Sequence, residues 1–217
     1  MMNTVRLQLV LPLAMVAVAL SACVTTMSRE QCLATDWAGV GFQDGARGYA
    51  ASRYGAHQTN CSEAQVVPDQ AAYQSGRRNG LRTYCRPVNA YRAGARGDRY
   101  NGVCPSRIEP AFIYAFEAGK RIHAFNTAIN RISRRMDRAE RDLRGLERRI
   151  PELEARATSN RLKKRQRRQA VIELQQLSEN IGVLRVEISR LAEKRARLRG
   201  KLSIVRPQYD REFGLRY

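Results

Sequence analysis

The chain has 217 residues, with 39 Lys and Arg against 20 Asp and Glu, a formal net charge of +19, 5 Cys and 2 His. That length holds one or two small domains, and two histidines leave little material for a His-based metal or catalytic centre. A charge of this size ordinarily points to nucleic acid or to an anionic surface, and which of the two depends on the compartment.

The first element is an export signal. Arg6 precedes a largely apolar run from Leu7 to Leu20, and Leu20-Ser21-Ala22 stand before Cys23. A short basic region, about 14 mostly apolar residues and small residues ahead of a cut describe a signal peptide over 1–22, too short to span a bilayer stably. Its end resembles the bacterial lipobox. That resemblance implies diacylglycerol on the Cys23 thiol, cleavage before it and acylation, for instance by palmitate, of the new amino terminus. Several acyl chains make a stable anchor, since each buried methylene contributes about 0.8 kcal/mol. An ordinary secreted protein with Cys23 left over is the alternative. Val24 stands where an Asp would, in enterobacterial-type sorting, favour the inner membrane. The expected location is therefore the outer membrane, facing the periplasm, with residues 23–30 as the acylated Cys and a short tether. Export removes nucleic acid from the expected partners.

Residues 31–109 form the second element, a Cys-rich helical domain. Cys32, Cys61, Cys85 and Cys104 remain once Cys23 is assigned, and an even count in an oxidising compartment reads as two disulfides, with three connectivities open. A metal site is disfavoured because no CxxC pair occurs and only His57 lies near a Cys. No cofactor is expected. Glycines and aromatics recur at helical steps: Trp37, Gly41, Gly45, Gly48; Tyr73, Gly76, Gly80, Tyr84; Tyr91, Gly94, Gly97; and Phe116, Gly119. Each helical Gly costs about 1 kcal/mol relative to Ala. Close helix crossing, with an aromatic of one helix resting on the bare backbone of the next, accounts for that cost; an aromatic-lined ligand groove around Trp37, Tyr73 and Tyr91 is the sharper alternative. If Cys32 precedes a helix over about 36–48 and Cys61 ends a returning one, those thiols meet. The same logic puts Cys85, ending a helix that starts near Asp69, beside Cys104. The predicted pairs are Cys32–Cys61 and Cys85–Cys104.

These residues also carry a resemblance. Cys32, Asp36-Trp37, Gly41-Phe42, Asp44-Gly45, Gly48, Cys61, Pro68-Asp69, Ala72-Tyr73, Gly76-Arg77, Gly80, Tyr84-Cys85, Tyr91-Arg92, Gly94, Tyr100, Gly102-Val103-Cys104-Pro105 and Phe112 resemble the bacterial lipoprotein family known as domain of unknown function 2799, over roughly residues 30–120. The resemblance implies an exported, lipid-anchored, Cys-bridged domain and no activity. The residues argue against an enzyme as well. Nucleophilic catalysis needs a base near a Ser or Cys, the cysteines are committed, and no Ser sits in a Gly-x-Ser-x-Gly turn. Asp36 and Asp44, eight apart on one helix face, could make a paired-carboxylate site, but a cap and a solubilising group are the plainer reading.

The third element, 110–206, is a long antiparallel coiled-coil hairpin. Ile122, Phe125, Ile129, Ile132, Met136, Ala139, Leu143, Leu146, Ile150 and Leu153 keep a three-four alternation. It resumes at Leu174, Leu177, Ile181, Leu184, Ile188, Leu191, Arg195, Leu198, Leu202 and Val205. A turn is predicted near 157–160, with Ser159 and Asn160 as caps for the second arm. Pro151 should kink the first arm without ending it. Matched arms favour a monomer that folds on itself, with a parallel coiled-coil dimer or trimer as runner-up; 207–217 is left as a C-terminal tail. The fold class is thus mainly α: a small disulfide-stapled, Gly/aromatic-rich helical domain followed by the hairpin.

The charge sits on that hairpin. Residues 23–119 carry 11 basic and 8 acidic groups, and residues 120–217 carry 27 and 12. Arg161, Lys163, Lys164, Arg165, Arg167 and Arg168 place six cations in eight residues at the predicted tip. Cations in a helix's first turns oppose its dipole, so local stability does not explain them. Either they are a solvated face, or they meet an anionic envelope component: peptidoglycan, anionic lipid or an acidic protein. The expectation is a non-catalytic envelope lipoprotein with membrane contact through the lipid on Cys23; the alternative is a ligand-binding or enzymatic Cys-rich domain with the hairpin as spacer.

Overall fold

The computed structural model describes residues 27–215; the predicted signal peptide and Cys23 lie outside them. The described residues form eight helices and no strand: α1 Arg29–Ala34, α2 Trp37–Ala46, α3 Arg53–Ser62, α4 Gln70–Tyr84, α5 Pro87–Arg96, α6 Glu109–Glu147, α7 Ile150–Thr158 and α8 Lys164–Glu212. Helix starts follow the caps. Ser28 and Gln31 close a capping box on α1, and the Asp36 and Asp69 carboxylates accept from the Gly39 and Ala72 amides, each at 2.9 Å. Pro87 opens α5, where its missing N–H costs nothing, and Gly97 ends it at φ 86°, a left-handed cap that excludes a β-carbon.

The glycines do something different from the expectation of aromatics resting on bare backbone. In α2 and α4 the two backbones themselves touch. A Cβ on Gly41 or Gly45 would be driven into the carbonyl of Tyr73 or Arg77, and one on Gly76 or Gly80 into that of Ala38 or Phe42. Helices α5 and α6 repeat the arrangement, Gly94 against the Phe116 carbonyl and Gly119 against that of Tyr91. Paired small residues one turn apart on both helices let Cα–H groups reach carbonyl oxygens across the crossing. Aromatic rings cover glycine only at the left-handed positions, Tyr84 over Gly48 and His123 over Gly97.

Each crossing organises its own core. Cys32, Trp37, Tyr54, Cys61 and Tyr73 pack together beside the first, and Tyr84, Cys85, Tyr91, Cys104, Phe112, Phe116 and Ile122 beside the second. One disulfide staples each: Cys32–Cys61 and Cys85–Cys104, the predicted pairs, with Cα atoms 6.0 and 5.7 Å apart. Loops of 29 and 19 residues make each bridge worth about 3–4 kcal/mol through the unfolded chain. Trp37, Tyr73 and Tyr91 fill these two separate cores and line no shared groove.

Helix α6 belongs to both parts of the molecule. Its first turns fill the second core, and from Ile122 onward it is the first arm of the coiled coil, burying Ile129, Ile132, Met136 and Ala139. At Pro151 the arm is interrupted rather than merely bent: α6 stops at Glu147, and α7 begins at Ile150. The ring has no N–H for the Glu147 carbonyl and crowds it. Arg148 and Arg149 keep right-handed backbone angles, so the path continues and Leu153 stays buried against Leu177 and Ile181.

The tail expected at 207–217 is helical to Glu212. Pro207 deprives the Ser203 carbonyl of its partner, and what offsets this is burial at the helix end. Tyr209 and Phe213 pack on Tyr91, the Tyr91 hydroxyl donates to Asp210 at 2.9 Å, and Arg121 donates to the Tyr209 hydroxyl at 2.9 Å. Both feet of the hairpin therefore stand in the stapled domain. No described helix is long and apolar enough to cross a membrane.

Candidate functional site: the basic tip

The tip is built by the connection between α7 and α8, at 159–163 rather than 157–160. Ser159 ends α7 instead of capping α8, and its hydroxyl accepts from the Arg161 amide at 3.3 Å. Lys163 is the residue that precedes α8, and its backbone N–H is held by the Gln166 side chain at 2.9 Å. The start shifts because Leu162 tucks in and the chain turns once more, with the Leu162 amide donating to the Ser159 carbonyl at 3.3 Å.

That extra turn separates the six predicted cations into two kinds. The Arg167 guanidinium folds back and donates to the carbonyls of Ser159 and Leu162 at 3.4 and 3.2 Å, satisfying groups that the turn leaves open. It is half-buried and structural. Arg161, Lys163, Lys164, Arg165 and Arg168 are exposed, and none lies within ion-pair distance of a described carboxylate. The nearby acids are engaged elsewhere or stand apart: Glu147 of the first arm pairs with Arg185 at 2.9 Å, and Glu173 of α8 with Arg156 of α7 at 3.8 Å. Five uncompensated cations thus surround one turn, at the far end of an arm of α6 and α7, about 72 Å by their 39 and 9 residues, and of α8, about 73 Å by its 49.

A polar cluster that sequence reasoning missed lies in the first core. Asp44 is 5 % exposed, accepts from the Tyr73 hydroxyl at 2.9 Å, and meets His57 Nε2 at 2.8 Å. Trp37 and Tyr73 pack around the imidazole with ring centroids 5.8 and 5.5 Å away. Burial, and next the hydrogen bond to Asp44, push the Tyr73 phenol far above the usual tyrosine range. The signal was present: Asp44 lies between Gly41 and Gly45 on the crossing face, where an acid must be buried and needs partners. The paired-carboxylate reading of Asp36 and Asp44 does not survive this geometry, because one carboxylate caps α2 and the other turns into the core. His123 sits over Gly97, with Nε2 3.3 Å from Thr127 Oγ1. No group of three or more His, Cys, Asp or Glu among the described residues could hold a metal ion.

The glycine crossings and the second staple all fall within residues 36–121, which match the family described as "Protein of unknown function (DUF2799)". This stretch is a DUF2799 domain. It takes in α2 to α5 and the first turns of α6, and it ends where the coiled coil begins. Cys32 precedes the DUF2799 domain and is tied to it by the bridge to Cys61. No curated protein and no solved structure matches the chain.

Proposed function

We propose that the protein is a non-catalytic lipoprotein of the cell envelope, anchored in the outer membrane through lipid on Cys23, which presents a basic coiled-coil tip to an anionic envelope component. The observation that carries this reading is the set of five exposed cations at the tip with no carboxylate partner. A solvated face evolved only for solubility needs no such concentration at one turn. The lipobox-like Leu20-Ser21-Ala22-Cys23 supplies the compartment, and in that compartment the anions within reach are peptidoglycan, lipid headgroups and acidic proteins. Each Lys or Arg close to an anionic surface contributes about 1 kcal/mol, so five give roughly three to four decades of affinity at low salt, decaying as salt rises.

The test exchanges Arg161, Lys163, Lys164, Arg165 and Arg168 for Gln, leaves Arg167 in place to hold the turn, and measures co-sedimentation with purified sacculi and with anionic liposomes. Loss of binding together with unchanged helicity supports the tip. Binding that is equal in parent and variant, or absent from both, ends the proposal. Mass spectrometry of the mature amino terminus tests the anchor separately, since an unacylated Cys23 removes it.

A further inference from the structure

A second basic feature lies in the DUF2799 domain, away from the tip and sharing no side chain with the Asp44 cluster. The last turns of α2, α4 and α5 converge on a cleft of about 670 Å³, within the range of small-molecule sites. Its rim carries Arg47, Arg92, Arg96 and Arg99, with Asp98 as the one acid. We infer that this cleft binds a phosphorylated sugar, through the arginines to the phosphate and through its polar wall to the sugar hydroxyls.

Cations beside helix C-termini have an ordinary explanation in the negative end of the helix dipole, and the magnitudes decide against it. Three C-termini at about half a charge each, with Asp98, offset roughly 2.5 of the four positive charges, leaving an excess near +1.5. The terminal carbonyls are also largely taken. Asn89 Nδ2 donates to the Thr83 carbonyl at 2.6 Å, and Asn101 Nδ2 to that of Gly48 at 2.9 Å. The backbone amides of Arg47, Cys85 and Gly97 close the last turns. Arg96 holds Asp98 at 2.6 and 3.1 Å, whereas Arg47, Arg92 and Arg99 make no side-chain hydrogen bond or ion pair within the described residues. An excess above one charge, delivered by planar forks, matches the several acceptor oxygens of a phosphate better than a single carboxylate.

The rest of the cleft specifies the body of the ligand. Phosphate alone leaves most of the volume empty. Asn89 and Asn101 each place an N–H on a carbonyl, so their Oδ1 atoms are left as acceptors open to O–H donors, and Thr83 and the exposed Tyr49 continue the polar lining. Hydroxyl donors joined to a phosphate describe a sugar phosphate, free or as a lipid headgroup.

The experiment titrates the full chain in non-ionic detergent with glucose 1-phosphate by calorimetry, and measures its binding to vesicles containing phosphatidylinositol. Glucose and phosphatidylglycerol vesicles serve as the unphosphorylated-sugar and sugar-free controls. Two charge-removing pairs, R92Q/R96Q and R47Q/R99Q, are compared with the parent and with the five-residue tip variant. Removing two charge-assisted contacts should weaken the phosphosugar probe about 30-fold or more in either pair, while the tip variant keeps parental affinity. Whichever probe is held more tightly identifies the source as free or membrane-borne. Binding of neither probe, binding that survives both pairs, or loss only in the tip variant overturns the inference. Because the tip variant is a separate arm, failure here leaves the sacculus and liposome test independent.

Discussion

Gly76→Ala and Gly182→Ala add the same methyl group to helix interiors, and the structure predicts opposite outcomes. At Gly182 in α8 nothing lies within 4 Å of the new Cβ, so the substitution gains the helix propensity of Ala, about 1 kcal/mol. At Gly76 the Cβ meets three backbone atoms, the Ala38 carbonyl oxygen and carbon and the Phe42 nitrogen. Backbone cannot swing aside as a side chain can, so α2 and α4 must part by roughly 1 Å, which forfeits a quarter to a half of each dispersion contact along the crossing. Overpacking costs about 1–3 kcal/mol and at times more; rigid backbone in the path of the Cβ puts Gly76 at the upper end, so about 3 kcal/mol less the propensity gain of about 1 kcal/mol leaves a net loss of about 2 kcal/mol. Trp37, the single tryptophan, lies in the adjoining core, so its fluorescence in a urea titration reads the crossing, while ellipticity at 222 nm is dominated by the hairpin. Gly76→Ala should lower the Trp37 midpoint, and Gly182→Ala should raise the ellipticity midpoint. Adding Gly41→Ala to Gly76→Ala should cost less than the two singles together, because the first substitution has already opened the gap. A Gly76→Ala protein with the Trp37 transition unmoved or raised would refute backbone contact as the reason for these glycines.

The Asp44 cluster predicts an ordering. Tyr73→Phe removes one donor and should cost about 1–2 kcal/mol, whereas Asp44→Ala strands a buried phenol and an imidazole together and should cost about 3 kcal/mol or more, both read from the Trp37 urea midpoint; equal costs would mean the carboxylate is not the hub. Alkali should weaken the domain through Tyr100, whose phenol is pushed up to about 12 by burial and then by its hydrogen bond to Glu109. The native state then holds a proton that the unfolded chain releases near pH 10, so this contribution is intact below pH 10 and is lost as pH rises toward 12. Tyr100→Phe should flatten the fall in thermal midpoint over that window, and an unchanged slope would count against the assignment.

What the sequence disclosed, and where it stopped, follows the range of each interaction. Caps and heptads are local, so Asp36, Asp69 and the run from Ile122 to Leu153 were legible from spacing alone. The disulfide pairs were legible because antiparallel helices bring their ends together. The glycine steps announced a crossing, but backbone-to-backbone contact could not be read, since the partner of each glycine lies on a helix some 30 residues distant in α2 and α4. Asp44 looked like a surface acid because its two partners come from α3 and α4. The predicted hairpin ended at 206, and only the Tyr91–Asp210 bond across 119 residues shows why α8 runs on. Arg167 counted as one more cation until the carbonyls of the turn claimed it.

The two feet of the hairpin give the molecule a mechanical character. Helix α6 leaves the second core as one uninterrupted rod, and α8 returns to the same core, pinned by Tyr91, Arg121 and the Tyr209–Phe213 pair. A load applied at the tip is divided between two clamped legs. Pulling along the axis strains the α5–α6 crossing and the Tyr209–Phe213 packing in shear, many contacts at once, instead of peeling them apart one by one. Sideways load meets a beam fixed at both legs, and its one weak section is the break at Arg148–Arg149. The arm should bend there first, letting the α7 end of the hairpin yield while the stapled domain keeps its shape.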